Sequence, residues 1–165
     1  MVGTVNVAAG STSKTQNVTL NIGAGTGSAD LQVAITSSPA TPNAAPVGST
    51  ATFSVTINNV SGTTPVPATA NVIFTGPVTV SNSLPLGCNL DPAANQAVNC
   101  NFNSANGIPN VFPIPVTVGF GRSVTAQAFV SSDAAETAPA DNQAAATVQV
   151  RPRPFSRNGL PVIIP

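Results

Sequence analysis

The chain has 165 residues, enough for one domain or one domain with arms. It contains no His, Trp or Tyr, and five basic and five acidic residues cancel to a formal net charge of zero. This composition closes the Ser-His-Asp and Cys-His routes to catalysis, offers no basic field to nucleic acid, and leaves a Ser, Thr, Asn and Gln surface with little repulsion toward a close neighbour.

Period-two alternation of apolar residues recurs along the chain, and a helical period does not. Sixteen Pro residues also argue against long helices, because an interior Pro costs about 3 kcal/mol in a helix. Val5 and Val7 alternate within residues 4–8, Gly10 and Ser11 make a turn, and Val18, Leu20 and Ile22 mark a second strand. The segment GAGTGS (23–28) reads as a flexible joint. Leu31, Val33 and Ile35 open a longer unit, followed by a Pro-rich turn at 39–46. Ala51, Phe53, Val55 and Ile57 alternate most cleanly, and Asn58, Asn59, Ser61 and Gly62 end that strand.

Val72 and Phe74 lie on the next strand, and Val78 and Val80 on another. The stretch from Cys88 to Cys100 carries Asp91-Pro92 and reads as a hairpin or loop. Phe112, Ile114, Val116 and Val118 alternate, as do Val124, Ala126, Ala128 and Val130. A small-residue, acidic loop fills 131–143, and Val148 and Val150 close the unit. Seven or eight short strands separated by turn signals predict an all-β, Ig-like Greek-key β-sandwich, with a barrel as the alternative. The predicted organisation is an N-terminal β-hairpin arm and Gly-rich joint (1–28), a sandwich (29–150) and an extended C-terminal docking tail (151–165).

Cys88 and Cys100 are too far apart for a CxxC motif, and no His can complete a zinc site. A disulfide between them is expected, with two buried thiols as the alternative, and it would imply an oxidising environment. No apolar run is long enough to span a bilayer, so no membrane insertion is expected. The N-terminus lacks the basic and apolar regions of a secretory signal. Either Met1 begins an already processed chain or the protein leaves the cell by another route, such as release of a virus particle.

Residues 30–150 resemble the bacterial surface repeat catalogued as domain of unknown function eleven. Ala29-Asp30-Leu31, Gly48-Ser49, the strand 50–57, Asn58-Asn59, the strand ATANVIF (68–74) and Asp141-Asn142 before the last strand stand where that family has its opening, turns and ending. Cys88 and Cys100 match a paired Cys arrangement around a hairpin in that family. Thr75-Gly76-Pro77 stands where the family has Thr-Asp-Thr-Leu-Pro. The resemblance implies an immunoglobulin-like sandwich in exported surface proteins and implies no activity.

No residue set predicts an enzyme, a cofactor or a metal. Lys14 sits in a hairpin turn with no acid nearby, and the acids Asp30, Asp91, Asp133, Glu136 and Asp141 lack the Trp or Tyr platform that a glycosidase site uses. Asp133, Glu136 and Asp141 share one loop but fit no EF-hand spacing. Asn17 and Asn59 begin formal glycosylation sequons.

The docking residues are expected in the tail. Arg151, Arg153 and Arg157 can meet an acidic protein surface, and nucleic acid is not expected to bind there. Phe155, Leu160, Val162, Ile163 and Ile164 supply apolar anchors that can add to a neighbour's sheet edge. The predicted function is that of a non-enzymatic structural protein, homo-oligomeric or docked on protein partners such as capsid subunits. A virion-surface decoration protein is the first expectation. A secreted bacterial surface or adhesion module, or a strand-exchanged filament subunit, is the second. A carbohydrate-binding module is the third, disfavoured by the missing Trp and Tyr.

Overall fold

The computed structural model describes residues 28–40, 43–62 and 64–152, together with the backbone of two earlier strands. Those two, β1 (Gly3–Ala9) and β2 (Thr12–Val18), form an antiparallel pair in which Gly3 faces Val18 and Ala9 faces Thr12. The second strand therefore begins earlier than the alternation predicted. Leu20 and Ile22 lie outside the described residues.

The strands that follow are β3 (Ser28–Ala29), β4 (Leu31–Ser38), β5 (Ala44–Pro46), β6 (Thr50–Asn59), β7 (Val66–Thr75), β8 (Val78–Val80) and β9 (Cys88–Asp91). After them come β10 (Ala94–Ser104), β11 (Asn110–Val118), β12 (Ser123–Ser132), β13 (Ala135–Glu136) and β14 (Gln143–Arg151), with one 3-10 turn at Pro139–Asp141. A six-stranded sheet has the order β5-β14-β12-β7-β10-β9, and a four-stranded sheet the order β4-β6-β11-β8. The two faces pack as an Ig-like sandwich, and the short parallel pair β13-β3 lies beside them.

Alternation explains which side each strand buries, because successive side chains point to opposite faces. Ala51, Phe53, Val55 and Ile57 of β6 are fully buried, as are Ile114, Val116 and Val118 of β11. Val72 and Phe74, Val124 and Ala126, and Val148 face them from the six-stranded sheet. Phe53 meets Phe74 edge-on across the core, with ring centroids 5.5 Å apart, and Phe102 meets Phe112 at 5.1 Å. Such pairs add about 1 kcal/mol each beyond burial.

Three expectations needed revision. The Pro-rich turn at 39–46 contains a strand: Ala44 pairs in parallel with Gln149, and Pro46 with Arg151. It forms at the sheet edge, where a Pro without an N–H breaks no ladder. Val33 and Ile35, which share the inward face of β4 with the fully buried Leu31 and pack against the core, are only half-buried, because β4 is the edge strand of its sheet. The acidic loop 131–143 is partly regular, since Ala135 and Glu136 pair with Ser28 and Ala29.

Pro113 and Pro115 sit in the interior strand β11. The Pro115 carbonyl accepts from Ser81 N, so its missing N–H falls on the β8 side. β8 pairs with Val116–Val118 alone, so neither Pro interrupts a ladder.

Candidate functional site: charged ends and uncharged faces

The strand directions give the sandwich two distinct ends. One carries the start of β4 and the β6–β7, β10–β11 and β12–β14 connections. The other carries the β7–β8, β9–β10 and β11–β12 connections and the last residue of β14.

Every ionisable side chain among residues 28–152 lies in a loop or on the last residue of a strand or turn. Asp30, Asp133, Glu136 and Asp141 occupy the first end. Arg122 and Arg151 occupy the second, with Asp91 on the far side of the six-stranded sheet. Between the ends, the outward positions are uncharged. On the six-stranded sheet they include Thr69, Asn71, Ile73, Asn99, Gln127 and Phe129; on the four-stranded sheet Thr36, Thr52, Ser54, Thr56, Val111 and Pro113. Cross-strand hydrogen bonds join Asn71 to Asn99 at 2.7 Å, Thr69 to Asn101 at 2.9 Å and Thr125 to Thr147 at 2.8 Å.

The acidic end is held by two carboxyl and amide clamps. Glu136 accepts hydrogen bonds from the Leu31 N–H at 3.2 and 3.4 Å and from Thr137 N at 3.1 Å, which ties the β12–β14 connection to the start of β4. Asn59 is fully buried. Its Oδ1 accepts from Ser61 N at 3.2 Å and Asp30 N at 3.5 Å, and its Nδ2 donates to the Ser104 carbonyl at 3.3 Å. Partial shielding from solvent raises the Asp30 pKa above 3.8, and the charges of Asp141 and Glu136 push the same way. Oδ1 of Asp30 and of Asp141 is shielded and accepts no hydrogen bond.

At the other end, the Arg122 carbonyl accepts from Val150 N at 2.8 Å and the Arg151 carbonyl from Val47 N at 3.1 Å, which places both arginines at the same end of the neighbouring strands β12 and β14. Arg122 and Arg151 are both exposed, and among the described residues neither pairs with a carboxylate. Exposed apolar side chains accompany both sets of charges. Phe120, 80% exposed, lies two residues from Arg122. Val60 and Ile108, 47% and 62% exposed, lie at the acidic end, and Val60 N donates to the Asp30 carbonyl at 2.9 Å.

The expected sites are distributed as follows. Cys88 and Cys100 form a disulfide, with an S–S distance of 2.00 Å, between residues directly opposite each other on β9 and β10. Arg151 is exposed at the end of β14. Arg153, Phe155, Arg157, Leu160, Val162, Ile163 and Ile164 lie outside the described residues. Among the described residues, no three His, Cys, Asp or Glu side chains converge on a possible metal position. The Asn59 sequon has its side chain in the interior. Sequence reasoning treated Asn59 as the end of a strand and missed its clamp. The signal was available in its parity with Ala51, Phe53, Val55 and Ile57, which places it on the buried face.

A shallow groove of about 620 Å³ opens at the acidic end beside Thr69, Asn101, Phe102, Ser131 and Asp133. Its lining is mostly amide and hydroxyl, with one ionisable group.

No protein-family model and no curated protein sequence matches the chain. Among solved structures, it is similar to the CARDB domain of a Pyrococcus furiosus protein, solved in complex with di-metal ions. The TM-score is 0.51 at 20% identity, covering 74% of this chain and 89% of that one. Weaker likenesses reach AvmM, which catalyzes macrocyclization in alchivemycin A biosynthesis, with a TM-score of 0.43 at 12% identity over 78% of this chain and 92% of that one. The cohesin module of a Clostridium perfringens family 33 glycoside hydrolase gives 0.42 at 12% identity, over 75% and 97%. The likeness to the CARDB domain, with the sheet order described above, establishes an Ig-like β-sandwich and nothing about chemistry.

Proposed function

We propose that this chain is a non-enzymatic structural module of an extracellular or particle surface, working through contact with other protein subunits. The observation that carries this reading is the segregation of charge. Among the described residues, two broad faces without an ionisable group allow close neighbours, and every ionisable side chain lies at one of the two ends. The Cys88–Cys100 disulfide supports an oxidising location. Fold alone supplies no activity, and the chain lacks the His, Trp and Tyr on which hydrolytic and sugar-binding sites commonly rely.

In its finer form, the module decorates the outer surface of a virion, with protein subunits as partners and no cofactor. Low charge and an uncharged flank suit dense packing on a particle, where many weak sites add through multivalency. The second reading, a secreted bacterial surface or adhesion module, rests on the resemblance to the surface repeat read from the sequence of residues 30–150, which no family model matches. Antibody detection in purified particles and in the cell-surface fraction of the producing culture separates the two. Co-purification with particles at a fixed ratio to the capsid subunit supports decoration. Recovery from the cell surface alone sinks it and supports the second reading.

A further inference from the structure

The two ends of the sandwich carry opposite charge along the same pair of strands, β12 and β14. The acids Asp133, Glu136 and Asp141 sit on the β12–β14 connection, with Asp30 joined to them through Leu31. Arg122 precedes β12 and Arg151 ends β14, so the arginines lie at the opposite end of the same two strands. Asp91 is four strand positions away from Arg151 in the sheet, about 19 Å. Its Oδ1 already accepts from Ala93 N at 2.8 Å in the β9–β10 turn.

The ends cannot satisfy each other within one molecule. A ten-residue strand spans about 33 Å, several times the Debye length of about 10 Å at 0.1 M salt. Nor is either set satisfied locally. Asp30 and Asp141 each hold a shielded oxygen without a donor, and among the described residues Arg122 and Arg151 lack a carboxylate. Repulsion from Asp141 and Glu136 on Asp30 is the type of strain that an incoming cation relieves.

Charge is not the only complementary feature. Phe120 stands exposed beside Arg122, while Val60 and Ile108 stand exposed beside the acids. Each end thus presents an apolar anchor with a charged rim, which is the anatomy of a protein interface. Among the described residues, the flanks between the ends bear no charge that would steer a partner to the side.

We propose that copies of this chain associate head to tail along the strand axis. The Arg122–Arg151–Phe120 end of one copy docks on the Asp30–Asp133–Asp141 end of the next, with Val60 and Ile108 against Phe120. This deepens the reading of the chain as an assembly module by naming the partner as a second copy. The contact is heterologous, so it propagates into open chains or closes into a ring rather than stopping at a two-fold dimer. Exposed ion pairs contribute little singly. Association is therefore concentration-dependent and salt-sensitive, with the apolar anchors setting its lifetime.

The test is the solution mass of the full chain by light scattering at rising concentration, in about 0.01 M and about 1 M salt, where the Debye length is roughly 30 and 3 Å. Two charge reversals are compared: Arg122→Glu with Arg151→Glu, and Asp133→Lys with Asp141→Lys. Mass should grow beyond a dimer at low salt and fall at high salt. Each reversed variant should stay monomeric: the arginine reversal makes both ends acidic, and the aspartate reversal sets two lysines against Asp30 and Glu136, an end with no net charge left to attract the arginines. Mixing the two variants in equal amounts should restore association, which a misfolded variant could not do. Phe120→Ser, a change outside the core, should weaken wild-type association at least tenfold.

A wild type that is monomeric at every concentration, a mass that stops at two, or reversed variants that associate as well as wild type would each overturn the proposal. So would a mixture that stays monomeric. None of these results bears on where the protein is found, so fractionation against purified particles still decides the assembly reading by itself.

Discussion

Replacing Asn59 by Ala removes the amide that holds the acidic end together. Asn59 is fully buried, and so is Ser104, whose carbonyl receives its Nδ2. Two of its side-chain bonds are well formed, at 3.2 and 3.3 Å, and the third, at 3.5 Å, is marginal. Net values of about 1 kcal/mol for each of the two good bonds, with about 1 kcal/mol more for the orphaned carbonyl, sum to about 3 kcal/mol. For a chain of this size, that corresponds to a loss of about 10 °C in Tm. Urea denaturation followed by circular dichroism checks it, with a lower midpoint at unchanged slope as the expected result. Asn101→Ala, which breaks only the exposed bond to Thr69, should change stability by less than about 0.5 kcal/mol. A cost below about 1 kcal/mol for Asn59→Ala would refute the claim that this amide organises the end of the sandwich.

Reduction of the Cys88–Cys100 bridge should cost about 3 kcal/mol in the chain-entropy argument for a loop of this length, read as a shift of the urea midpoint with and without reductant; an unchanged midpoint would remove the disulfide from any account of stability. Asp30→Asn should raise Tm at neutral pH. The folded-state pKa of Asp30 lies above 3.8, so the wild type is at its best below that value and loses stability as pH rises through the raised pKa. The gap between variant and wild type should therefore open with rising pH and close near pH 3; a gap independent of pH contradicts the assignment. Gly76→Ala should cost about 2 kcal/mol or more. Gly76 has φ +106°, and a Cβ there would lie 2.5 Å from the Ser123 carbonyl oxygen, so thermal stability equal to wild type would show that this turn can relax.

Much of the sandwich was legible from a single local rule. A strand sends successive side chains to opposite faces, so the alternations 51–57, 112–118 and 124–130 determined which residues face the core before any partner was known. The same parity already pointed Asn59 inward. The disulfide was legible too, because two cysteines without a His have few other uses. The tail residues that sequence reasoning favoured for docking, apart from Arg151, lie outside the described residues. The candidate surfaces therefore rest on the sandwich itself.

What alternation cannot express is which strands become neighbours. That Ala44–Pro46 joins β14 in parallel, that β4 lies at an edge with Val33 and Ile35 half-exposed, and that β8 stops short of Pro113 all depend on pairing between residues far apart in the chain. Charge is the clearest case. Along the sequence, Asp30, Arg122, Asp133, Glu136, Asp141 and Arg151 look scattered, and the net charge of zero conceals any order. Each lies where a strand has ended, and whether that point is at one end or the other depends on strand direction. The amino-acid sequence by itself determined the long alternating strands, their buried faces and the uncharged positions between the turns. Only the antiparallel path of the tertiary structure gathered four acids at one end and two arginines, with Asp91 across the sheet from them, at the other, because strand pairing is non-local and each reversal of the chain decides which end a loop occupies.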